Sequence, residues 1–195
     1  MSVIRKFAGF TLTTLALAAL GLVAACTTAP ETKAERVALT SDSTAFLTRA
    51  KAADPSLDKF FDSCVGYAVL PEIGKGGFIF GGAYGRGQLY DRDGRLVGYC
   101  DVTQGSVGAQ LGGQSFGEII FFETNEALNR FKGDKFVLAA QASAVALGAG
   151  AAAAAKYEDG VAIFLMNPKG LMLEASIGGQ QFGYQALADA ESLGS

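Results

Sequence analysis

Gly74 to Tyr99 reads GKGGFIFGGAYGRGQLYDRDGRLVGY, and this stretch decides the fold. Asp91-Arg92-Asp93-Gly94 divides it, and an Asp-Gly pair between two runs of strand formers is a hairpin signal. Phe78-Ile79-Phe80 begins a Gly-rich strand that reaches about Tyr84, while Gly87 to Tyr90 and Leu96 to Val102 flank the turn. Upstream, Val65 to Leu70 reads as a strand stopped by Pro71. Downstream, Val107, Ala109 and Leu111 alternate with Gly and Gln. Glu118 to Phe122 is a short strand with apolar residues on both faces, which suits a central position. Val161 to Met166 is another strand. Asn167-Pro168-Lys169-Gly170 suits a type I turn, and the next strand puts Leu171, Leu173, Ala175 and Ile177 on one face. Of 26 Gly, 23 lie between Gly66 and Gly183. Such density within strands predicts a strongly curled or barrel-like sheet.

Helical patterns precede the strands. One opens at Pro30 and runs through Ala34, Val37 and Ala38, and a second covers about Ser43 to Ala53. Asp54-Pro55 starts a third, with a capping oxygen followed by Pro at the first position. Leu57, Phe60, Phe61 and Cys64 follow at helical spacing. Thr124 caps a further helix, Asn125 to Lys132, with Leu128 and Phe131 inward and Gly133 at its end. Gln141 to Lys156 carries both signals: its Ala content favours helix, while Gly148, Gly150 and the preceding Val-Leu pattern favour strand. The expected fold is α+β, with N-terminal helices, then a curled, mostly antiparallel Gly-rich sheet, and one helix inserted near 124–132.

Composition excludes several functions. The chain has 195 residues, no His, no Trp and a net charge of −3. An acidic chain is a poor partner for nucleic acid. Without His the commonest general base and metal ligand is missing, and no cofactor or metal site is indicated. Gly113-Gln114-Ser115-Phe116-Gly117 matches the G-x-S-x-G elbow of serine hydrolases. That elbow needs a His and a following helix, whereas a strand follows here. Gly148 to Ala153 matches G-x-G-x-x-A, a motif that needs a parallel βαβ unit, while the surrounding pattern is antiparallel. No catalytic residue is nominated.

Arg5 and Lys6 precede Phe7 to Ala25, an uncharged run reading FAGFTLTTLALAALGLVAA. A basic start, an apolar run and small residues before a cleavage point make a signal peptide. Val23-Ala24-Ala25-Cys26 resembles the lipobox of bacterial lipoproteins, which are cut before a Cys that is then acylated. The organisation expected is a leader over 1–25, a tether over 26–33 attached through Cys26, and one domain over 34–195 with its core at about 60–183. Thr27 in place of Asp favours, by resemblance to known sorting, the outer membrane facing the periplasm. Cleavage removes two basic residues and no acid, which leaves 14 basic and 19 acidic side chains, a net of −5. With Cys26 acylated, Cys64 and Cys100 remain as an even pair, able to form a disulfide or to stay as two buried thiols.

From Phe60 to about Phe182 the chain resembles the Ysc84 family, also called the SYLF domain. The resemblance is carried by Gly66 to Pro71, Gly74 to Tyr99, SVGAQLGGQSFGEIIFFETNEALNRF (Ser106 to Phe131) and PKGLMLEASIGGQQF (Pro168 to Phe182). It implies a non-enzymatic lipid-binding module with membrane lipid as partner, and it favours strand over 141–156. Eukaryotic members bind phosphoinositides and, in yeast, actin filaments; bacterial members are commonly lipoproteins. A charged headgroup wants clustered Lys and Arg. Lys75, Arg86, Arg92 and Arg95 are the candidates for lipid binding, against the alternative of ordinary solvated turn charges. A second functional expectation is an envelope structural or assembly protein that binds another protein through a sheet edge or apolar surface.

Overall fold

The computed structural model describes residues 28–76, 80–107, 114–133, 136–138, 144–167 and 179–192. The leader expected at 1–25, Cys26, Ala109 and Leu111, and the strand expected at 171–177 lie outside the described residues.

One helix, α1 (Lys33–Ala53), replaces the two expected before Asp54. No Gly or Pro interrupts Ala38 to Ser43, so nothing breaks it. Its start is Thr32 and not Pro30. The Thr32 hydroxyl accepts from the Glu35 amide at 3.2 Å, and Glu35 accepts back from the Thr32 amide at 3.1 Å, a capping box. Ala29 and Pro30, assigned above to the tether, are buried against the domain. Ala29 is 3% exposed, and its amide donates to Gln185 Oε1 at 3.0 Å.

Asp54 ends α1 and opens a 3₁₀ turn, Pro55–Leu57, that leads into α2 (Asp58–Ser63). One carboxylate oxygen accepts from the Ser56 amide and hydroxyl; the other accepts from the Ala152 amide at 2.7 Å, at the start of α4 (Ala151–Ala154). Burial opposes the Asp54 charge, but the bonds from Ser56 and Ala152 outweigh it and hold the carboxyl below its usual range. A depressed folded pKa stabilises above the unfolded value and is lost as pH falls through it. Asp54→Asn is therefore expected to flatten the loss of stability below about pH 4, read by urea unfolding at stepped pH. Asp54→Ala should cost about 1–3 kcal/mol at neutral pH, by stranding the Ser56 and Ala152 amides.

Among the described residues, eight strands form one sheet: β1 (Gly66–Gly76), β2 (Phe80–Asp91), β3 (Leu96–Val107), β4 (Gln114–Phe122), β5 (Phe136–Val137), β6 (Ala144–Ala146), β7 (Val161–Met166) and β8 (Gln181–Ala186). Their order is β5-β8-β3-β2-β1-β4-β7-β6, antiparallel except for β6 with β7. Pro71 does not stop β1. Pairing shifts by one residue between Val69 and Glu72 against β2, and between Leu70 and Ile73 against β4. The extra residue forms a bulge, which is where a strand tolerates a residue with no N–H. Asp91 closes the β2–β3 hairpin as expected, accepting from the amides of Asp93 (2.9 Å) and Arg95 (2.8 Å), with Gly94 at φ 76°. β6 is strand and 151–154 is helix, so the stretch 141–156 divides between its two signals.

Over its central part the sheet is buried on both faces. Ala68, Leu70, Leu89, Val102, Phe116, Ile120 and Phe122 pack with Leu128 and Phe131 of α3 (Asn125–Lys132). Tyr67, Val69, Tyr90, Ile119 and Phe121 pack with Phe46, Ala50, Leu57 and Phe60 from the N-terminal helices. The α3 face is concave. Glu118 in β4 and Gln180 just before β8 are four strand steps apart, about 19 Å in a flat sheet. Their side chains nevertheless meet, with Gln180 Nε2 donating to Glu118 Oε2 at 3.0 Å. The sheet therefore rolls into a half-barrel, and a short final helix, α5 (Leu187–Ser192), follows β8.

Candidate functional site

The four basic residues nominated from sequence do not form one cluster. Arg92 and Arg95 sit in the exposed hairpin turn. Arg92 donates to the Asp62 carbonyl at 3.1 Å, and Arg95 pairs with Asp93 at 3.2 Å. Arg86 lies within β2, and Lys75 in β1 pairs with Ala83, so both belong toward the opposite end of the sheet. From the level of Ala83 to the turn is about 30 Å of strand. Arg86 is also ringed by acids: it faces Glu72 of β1 and Asp101 of β3 in register, and its charge reaches Glu35 of α1. Arg92 and Arg95 fit ordinary turn charges.

The end of the sheet away from the hairpin has a different character. Tyr84, Gly74 and Thr103 align across β2, β1 and β3 on the convex face, the face covered elsewhere by α1. A Cβ built at Gly74 or Gly105 would meet nothing within 4 Å, so the floor here is open backbone. Tyr84 stands on it, 44% exposed, with its hydroxyl accepting from Arg86 Nε at 3.0 Å. A half-exposed aromatic with a cation on its polar tip suits a boundary between water and apolar matter.

The concave face is filled by its own side chains. Phe131 lies 4.9 Å from Phe122 and 5.5 Å from Phe182, ring centre to ring centre, which bridges β4 and β8. Glu118 and Gln180 are buried beside them. Sequence reasoning did not single out this pair, yet half of it was visible: Phe116, Glu118, Ile120 and Phe122 share one face, and Glu118 is the acid in an apolar row. Gln180 carried no signal, because its role comes from the roll of the sheet.

Two motifs find structural uses. Ser115 and Gly117 lie inside β4, where the strand runs on to Phe122 instead of turning into a helix at the Ser. A Cβ at Gly117 would come within 2.3 Å of the Phe46 ring, so this glycine seats α1 on the sheet. Gly148 to Ala153 does lie between parallel strands, which corrects the antiparallel expectation there. The helix is only four residues long, however, and Asp54 already accepts its Ala152 amide.

Cys64 and Cys100 are free thiols buried in separate clusters on opposite faces of the sheet, so the disulfide weighed from sequence is not formed. Burial pushes both thiols up, and a protonated, enclosed thiol is inert. Ellman's reagent on a Cys26→Ser chain is expected to find no reactive thiol in the native state and two after unfolding. Fast native labelling would show that one of them is accessible.

The fold and this site define an α+β half-barrel with an open glycine floor at one end. A family model described as Ysc84, Las17-binding protein actin regulator, matches residues 103–191, from β3 to α5. The chain is also similar to beta cell expansion factor A of Aeromonas veronii, 28% identical over 154 residues, which is 78% of this chain and 59% of that protein. Both matches support the family resemblance read from the sequence. Among the described residues no helix is long and apolar enough to cross a membrane.

Proposed function

We propose that this chain is an envelope lipoprotein, cut before Cys26 and held through acyl chains on it at the outer membrane, whose domain is non-enzymatic and contacts lipid. The observation that carries the lipid reading is the contrast between the two faces. The concave face is packed with Phe122, Phe131 and Phe182, so it suits a structural core better than a berth for an acyl chain. The convex face offers an open glycine floor with Tyr84 projecting, which suits contact with a surface. The absence of His and the position of Ser115 within a strand support a non-enzymatic domain.

The test is co-sedimentation of unlipidated protein, beginning at Thr27, with phosphatidylethanolamine–phosphatidylglycerol vesicles. Binding weakened by Tyr84→Ser is expected. No binding to vesicles of any envelope composition would remove the domain's role and leave only the anchor. Intact mass of protein from the producing cell tests the anchor separately: diacylated or triacylated Cys26 is expected at the N-terminus.

A further inference from the structure

The chain between the proposed acylated residue and the first packed one is short, and this restricts which part of the domain can meet a bilayer. Thr28 lies over β8: a Cβ at Gly183 would come within 3.0 Å of its hydroxyl. Ala29 follows over Gln185. From Thr28 to Ala29 the chain thus runs along β8 toward the hairpin end. Cys26 is two residues before Thr28, at most about 7 Å of extended chain.

Distances along the sheet then discriminate between its ends. Gly183 pairs with Asp101, and Tyr84 pairs with Thr103, one strand further and two residues along. That places Tyr84 about 12 Å from Gly183, on the same face. The hairpin tip at Asp93 is about 20 Å from the level of Asp101, in the other direction.

We infer that the bilayer meets the convex face at the glycine-rich end of the sheet, with Tyr84 at the contact and the Arg92–Arg95 hairpin held away from it. This rests on the lipoprotein reading of Cys26 and deepens it by orienting the domain. Arg86 is surrounded by Glu35, Glu72 and Asp101, so the patch carries no net positive charge to grip anionic headgroups. The contact rests on Tyr84 at the interfacial level, with the anchor fixing its orientation, and it is insensitive to salt and to the fraction of anionic lipid.

The experiment uses the full lipoprotein as processed by the producing bacterium, reconstituted in vesicles carrying headgroup nitroxide lipid. A fluorophore is placed at Thr103→Cys or at Asp93→Cys, both exposed; buried Cys64 and Cys100 are not labelled. Urea unfolding confirms that each labelled chain keeps the native transition. Several-fold stronger quenching at residue 103 than at 93, unchanged in high salt, is the expected result. Equal quenching, or stronger quenching at 93, overturns the orientation. Intact mass of the same sample separates the two failures. Without acyl mass on Cys26 the lipoprotein reading falls and the orientation with it; with the acyl mass present and the wrong quenching pattern, only the orientation falls.

Discussion

Gly117→Ala is expected to destabilise the domain by about 3 kcal/mol, with Gly117→Val worse, because the new methyl enters the space of a buried ring. Phe46 is 1% exposed, and its ring carbons would lie 2.3 to 2.9 Å from that methyl. Relief requires α1 to lift away from β4. Phe46→Ala alone should cost about 3–5 kcal/mol, through lost burial and a cavity. The double variant should cost clearly less than the sum, since the added methyl then occupies vacated volume. Chemical unfolding of the four proteins measures this. Strict additivity would mean that Phe46 does not sit on Gly117.

The second large effect belongs to the pair that spans the concave face. Glu118→Ala is expected to cost about 3 kcal/mol: a void opens beside Phe116 and Ile120, and the Gln180 amide loses its acceptor. Gln180→Ala removes the same bond from the other side. A double-mutant cycle should give a coupling of about 1.5–3 kcal/mol if the 3.0 Å bond forms in solution. A coupling near zero would show that the two strands do not approach across the interior. Glu118→Gln keeps an acceptor of similar shape and should cost less than Glu118→Ala.

The fold was legible in the sequence where local chemistry dictates conformation. The Asp-Gly hairpin, the Thr124 cap with Leu128 and Phe131 inward, and the uninterrupted apolar run at Val161 all formed as expected. Pro71 misled because a proline signals loss of an N–H, and a bulge absorbs that loss as well as a strand end does. The first two helices merged because no Gly or Pro stands between Ala38 and Ser43 to separate them. Gly117 looked chemical in a motif and proved steric, since its meaning depends on Phe46, 71 residues earlier. The candidate surface was only partly visible. Arg86 was noticed for its charge, but its acidic neighbours come from strands β1 and β3 and the helix before them, and register, not spacing, brings them together.

The ends of the described chain are tied to each other. Ala29 bonds to Gln185, and the Arg36 guanidinium donates to the Ala190 carbonyl at 2.7 Å, across 156 and 154 residues. β8 sits between β5 and β3, so the sheet is incomplete until the last strand arrives. A polypeptide emerging N-terminus first from a ribosome therefore cannot seat Ala29 and Arg36 until Gln185 and Ala190 have been made. Such late, long-range closure makes folding slow, and until it happens the apolar surface of Tyr67, Tyr90 and the Phe-rich strands stays uncovered.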